Sequence, residues 1–148
     1  MLIEPTSTFE TLPRKGSARE RLDRLLGLIW SREWYEAANF SVVFTFLAMG
    51  QRNEEVARRV RRLYRRYREF LMMQLSAFAE AGIISVSDPA RSADLLVSMT
   101  EGFHYFSQYH TPPEDFEAHR TGMIALSLKM LGAASPEEGD PKEVKEER

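Results

Sequence analysis

The chain has 148 residues, 43% apolar and 28% charged, which is enough for one globular domain with a sizeable core. It contains no cysteine, which excludes disulfides, thiolate metal sites and cysteine nucleophiles. The net charge of −2 is uneven: from Ala133 onward six acids face Lys142, Lys145 and Arg148, so the body sits near +1 and favours neither nucleic acid nor a membrane.

Residues 1–16 show no apolar periodicity and no basic start leading into an apolar stretch, so they are expected to be a flexible segment without a secretion signal. The first helix opens at Ser17, where Glu20 stands at capping-box spacing and Leu22, Leu25, Leu26 and Ile29 supply an apolar stripe. Ser31 caps a second helix that runs to Gly50. Trp34, Tyr35, Phe40, Val42, Val43, Phe44, Phe46, Leu47 and Met49 make it apolar nearly all round. Such a helix is expected to be surrounded by others, and its aromatics suit either a small-molecule cavity or plain core. Its greasiest stretch is far too short to span a bilayer.

Asn53 with Glu54 and Glu55 opens a third, long helix that stops at Gly82. Seven arginines lie between Arg58 and Arg68, confined to about half of the helical wheel. Val56, Val60, Leu63, Tyr64, Tyr67, Phe70, Leu71 and Phe78 occupy the other half, so the arginines read as a wet face. Phosphate attraction is a lesser alternative, because no base-reading element accompanies it. Tyr64 and Tyr67 bring hydroxyls to the apolar side, where a ligand, a carbonyl or water must partner each.

Asp88 and Pro89 cap and start the fourth helix. Leu95, Leu96, Met99, Gly102, Phe103, Phe106 and Tyr109 cover a broad arc of it, with Glu101 and His104 expected as neighbours on the polar flank. Gly102 costs about 1 kcal/mol against alanine inside a helix, which suits a close approach by another helix or room for a ligand. Thr111 and Glu114 have capping-box spacing for the fifth helix, which ends at Gly132. That helix is also two-sided. Ile124, Leu128 and Leu131 form one stripe, and Phe116, Met123, Leu126 and Met130 another. More apolar surface than one core needs points to self-association across a two-fold axis. The segment "IISVS" at 83–87 is too short to build a sheet. The charged, proline-containing tail, 133–148, is expected to be disordered. The expected architecture is an all-α five-helix bundle over residues 17–132.

No chemistry-bearing motif emerges. His104, His110 and His119 lack the spacing of a helical zinc site, so no metal or cofactor is expected. There is no nucleophile elbow, HExxH or phosphate loop, and the acids read as caps or polar faces, so the chain is not expected to be an enzyme.

Three stretches, "LSAFAEAGII" (75–84), "DPARSADLLVSMTEGFHYF" (88–106) and "HRTGMIALSLKMLG" (119–132), resemble the C-terminal ligand-binding and dimerisation domain of TetR-type transcriptional regulators. The resemblance covers roughly residues 17 to 132 and implies a cytoplasmic homodimer sensing an apolar or aromatic small molecule. DNA would be reached only through a helix-turn-helix, which nothing in this chain resembles. It also implies a dimer seam through the last two helices, at Leu95, Gly102, Phe106, Tyr109, Met123, Leu126 and Met130. The implied ligand cavity lies among the second, third and fourth helices, lined by Trp34, Phe40, Phe44, Tyr64, Tyr67, Met99 and Phe103. The alternative is a stand-alone helical interaction module that uses the same seam without a ligand.

Overall fold

A computed structural model describes residues 15–37 and 40–134. They form six α-helices: α1 (Ala18–Ile29), α2 (Arg32–Ala37), α3 (Phe40–Gly50), α4 (Glu54–Glu80), α5 (Pro89–Tyr109) and α6 (Phe116–Met130). A short 3-10 turn, Pro113–Asp115, precedes α6. The fold is all-α, as expected, and no strand occurs among the described residues. The expected second helix corresponds to two described pieces, α2 and α3. Residues 1–14 and 135–148, which carry most of the expected flexible ends, lie outside the described residues.

Local chemistry sets most boundaries. Ser17 and Glu20 form the reciprocal capping box of α1. The Ser31 hydroxyl accepts from the Trp34 backbone N–H at 3.0 Å. Asn53 accepts from the N–H groups of Glu55 and Val56, and Asp88 accepts from that of Arg91, with Pro89 in the first turn of α5. Two helices end in the same way. Gly82 and Gly132 take φ of +74° and +60°. Ile83 N–H then reaches Phe78 O, and Ala133 N–H reaches Leu128 O, which are the long hydrogen bonds of a Schellman ending.

The Thr111–Glu114 capping box does not form. The chain instead makes the 3-10 turn, with Asp115 N–H bonded to Pro112 O at 2.9 Å, so α6 begins only at Phe116 without a side-chain cap. Two successive prolines remove the N–H groups that an earlier start would offer.

The core gathers on α1. Leu22, Leu25, Leu26 and Ile29 are all buried, followed at once by Trp30 and, from α2, Trp34. Tyr67, Leu71, Leu75 and Phe78 of α4 and Ala93, Leu96 and Phe103 of α5 close over them. The central position expected for the second helix therefore belongs to α1. From Val42 to Met49 of α3 no side chain is fully buried, and Met49 is 47% exposed. The reason is geometric: α3 packs mainly along α4, and its Phe44 also meets Tyr105 of α5. The 83–87 segment makes no strand but is tied down, Ser85 N–H donating to Leu131 O at 2.9 Å.

Candidate functional site

The long helix α4 and α5 form an antiparallel hairpin, registered by Arg68 against Asp94 and Tyr64 against Glu101. Two turns of α5, residues 100–106, distribute their side chains among several neighbours. Thr100, Phe103 and His104 point into the core, whereas Gly102 and Phe106 are exposed. Glu101 meets α4, and Tyr105 meets Phe44 of α3 with ring centroids 5.0 Å apart.

Glu101 and His104 correct the expectation of a polar flank. The Tyr64 hydroxyl donates to Glu101 Oε2 at 2.9 Å. Burial raises the Glu101 carboxyl to about 7, even though the tyrosine hydrogen bond acts the other way. His104 is 1% exposed, and its Nε2 lies 2.9 Å from the Ile29 carbonyl. A carbonyl only accepts, so Nε2 carries the hydrogen. Burial pushes the imidazole down to about 4, against the opposing pull of that hydrogen bond. The phenols of Tyr64 and Tyr67 are both driven upward, burial being the leading cause in each; for Tyr67 the hydrogen bond with Thr100 opposes it. Thr100 is satisfied in turn, its hydroxyl lying 3.0 Å from the carbonyls of Leu96 and Val97.

The residues expected to line a cavity are placed as follows. Trp34 and Tyr67 are buried against each other, with ring centroids 5.9 Å apart. Phe103 is buried among Trp30, Phe116 and His119. Phe44, Tyr64 and Met99 are half-buried, and the side chain of Phe40 lies outside the described residues. Tyr64, Tyr67 and Trp34 thus gather on the α2–α4 side, next to Glu101, whereas Phe103 sits against α1 and α6.

The expected seam residues have a different character. Leu95, Phe106, Tyr109 and Leu126 are all 44% exposed or more, although they are large and apolar. Leu95, Gly102, Phe106 and Tyr109 recur at steps of seven, four and three, one stripe of α5. Met123, Leu126 and Met130 form a matching stripe on α6, where Met123 and Met130 also touch the core. A Cβ added at Gly102 would meet nothing within 4 Å.

Both seam helices hold the end of α1. The Arg120 guanidinium donates to Gly27 O at 2.7 Å, and Trp30 Nε1 donates to the buried Ser127 hydroxyl at 3.2 Å. With His104 on Ile29 O, side chains of α5 and α6 satisfy carbonyls of the last turn of α1 that have no helical partner of their own. Trp30 and Ser127 did not stand out in the sequence, although Trp30 continues the Leu22–Leu26 step of four.

A model of the BetI-type transcriptional repressor C-terminal family matches residues 18–128. The chain belongs to this family. It is a TetR-type regulator C-terminal domain, of a class that serves effector binding and dimerisation and is regulatory in role. No curated protein and no solved structure matches the chain. Among the described residues no helix is long and apolar enough to cross a membrane, and no group of three His, Asp or Glu side chains could hold a metal.

Proposed function

We propose that this domain works as a cytoplasmic homodimer that senses an apolar or aromatic small molecule and adjusts DNA binding by a helix-turn-helix outside these 148 residues. The observation that carries the reading is the pair of exposed apolar stripes on α5 and α6. Leu95, Phe106, Tyr109 and Leu126 are between 44% and 71% open to water in the lone chain, an arrangement that a second copy would remove. The effector would enter beside Trp34, Phe40, Phe44, Tyr64, Tyr67, Met99 and Phe103. The Tyr64–Glu101 pair would then be the polar feature that orients it.

Transmission follows from the tethers on α1. An effector that displaces α5 moves His104, and with it Ile29 O; Arg120 and Ser127 apply the same constraint from α6. The first helix therefore follows the seam. Ligand shifts the balance only through a difference in affinity between the two arrangements.

A second reading, a dimerisation module without a ligand, has its own support: Trp34, Tyr67, Trp30, Phe103 and Phe116 fill space against one another. Two measurements separate the readings. In sedimentation, Phe106→Glu and Leu126→Glu are expected to yield monomers, while Met73→Glu, on an exposed position of α4, leaves the dimer intact. A wild-type monomer at micromolar concentration defeats the proposal. In thermal melts, neutral 2-naphthol should raise the midpoint saturably. A flat titration leaves only the module reading.

A further inference from the structure

Outside the aromatic interior, the flank where α4 meets α5 forms an open groove. The long helix contributes Arg61, Tyr64, Arg65 and Arg68, spaced three, four and seven residues along one face; α5 contributes Asp94, Val97 and Ser98 in the same register. The groove is unbalanced in charge, with three guanidinium groups against one carboxylate. Arg68 is committed, its Nε and Nη2 forking onto the two oxygens of Asp94 and bracing the helices across the groove. Arg61 pairs with Glu54, seven residues or about two turns before it on the same helix, a contact between two exposed side chains that is easily exchanged. Arg65 has no acid partner among the described residues. The Ser98 hydroxyl already donates to Asp94 O at 2.8 Å, so the donors left for a ligand are Arg65 and, once its surface pair with Glu54 is exchanged, Arg61.

We propose that this groove binds a small organic carboxylate. Arg61 and Arg65 grip the anion and its apolar body lies over Val97 and the ring of Tyr64. Guanidinium forks match the two oxygens of a carboxylate, and their positions one turn apart let both reach one anion. Val97 and Tyr64 give the organic part something that inorganic anions cannot use. The site shares only Tyr64 with the aromatic interior and does not depend on the effector reading.

The test is calorimetric titration of the full chain with 2-naphthoate, with 2-naphthol and inorganic phosphate as controls. Arg61→Ala and Arg65→Ala should each weaken naphthoate binding about tenfold or more, as expected for a lost charge-assisted contact. Arg65→Lys should recover only part of it, because the fork is gone. Arg62→Ala, which removes an exposed arginine that does not line the groove, should change little. All four substitutions are on the exposed face, and unchanged melting curves confirm that the fold survives. The proposal is overturned if the Arg61→Ala/Arg65→Ala double variant keeps wild-type affinity, or if phosphate binds as tightly as naphthoate. It is also overturned if duplex DNA displaces naphthoate and Arg62→Ala weakens that DNA binding as much as Arg61→Ala, since the whole arginine face would then be a phosphate patch. A flat naphthol titration with intact naphthoate binding would count against the interior effector alone.

Discussion

Glu101 and His104 stand three residues apart on one helix and titrate in opposite directions. The carboxyl is raised to about 7, so between its ordinary value near 4.5 and 7 the folded state holds a proton that the unfolded chain has released. Its contribution is complete below the ordinary value and is lost as pH rises through that window. The imidazole is lowered to about 4 from 6.5, so here the unfolded chain binds the extra proton and stability is lost as pH falls from 6.5 to 4. Each effect is on the order of 3 kcal/mol at full extent, and the two nearly cancel over the shared range. Glu101→Gln should therefore reveal a protein whose denaturant midpoint rises with pH between 4 and 6.5. His104→Gln, which keeps a donor for Ile29 O, should give one whose midpoint falls between 4.5 and 7. Parallel profiles for both variants and the wild type would contradict these assignments. The signal for His104 was present in the sequence. Ala93, Leu96, Thr100 and Phe103 follow one another at steps of three, four and three, and His104 stands four beyond Thr100, all of them buried. Thr100 concealed the stripe, because a hydroxyl that bonds back to its own helix can be buried at little cost.

At the scale of elements, caps and stops behaved as their chemistry dictates wherever a free backbone N–H was available. Ser17, Ser31, Asn53 and Asp88 all accept the hydrogen bonds that their positions imply, and Gly82 and Gly132 end their helices in the left-handed region. Gly132 is further confined, since a Cβ there would lie 3.0 Å from Ser85 O. Thr111 is the exception, displaced by the prolines that follow it. Asn53→Ala should lower unfolding free energy by about 1 kcal/mol in urea titrations, the usual loss for a capping side chain. Thr111→Ala should change it by only a few tenths. Equal losses at the two positions would mean that Thr111 caps α6 in solution. The wide apolar arc read along α5 separates in three dimensions into two stripes, Leu96–Thr100–Phe103 inward and Leu95–Gly102–Phe106–Tyr109 outward. A helical wheel orders side chains by angle and cannot say which part of a wide arc its own chain covers.

Across the whole molecule, Gly102 offers a test of what lies beyond the single chain. Open space surrounds its Cβ position, so in an isolated subunit Gly102→Ala should stabilise by up to about 1 kcal/mol through helix propensity alone. Where a partner's helix packs on this stripe, the added methyl intrudes, and the variant should instead dissociate at higher protein concentration. Sedimentation equilibrium of wild type and variant distinguishes the two signs.

Helix positions, most of their ends, the wet face of arginines and the surplus of apolar surface near the C-terminal end were all determined by the sequence alone, because they depend on periodicity and on chemistry local to a few residues. Only the tertiary structure decided that α1 rather than α3 occupies the centre, that Glu101 and His104 turn inward, and that Arg120, Ser127 and His104 hold the last turn of α1. Those outcomes depend on which of several similar apolar faces meet, a choice made by the packing of residues up to about a hundred positions apart.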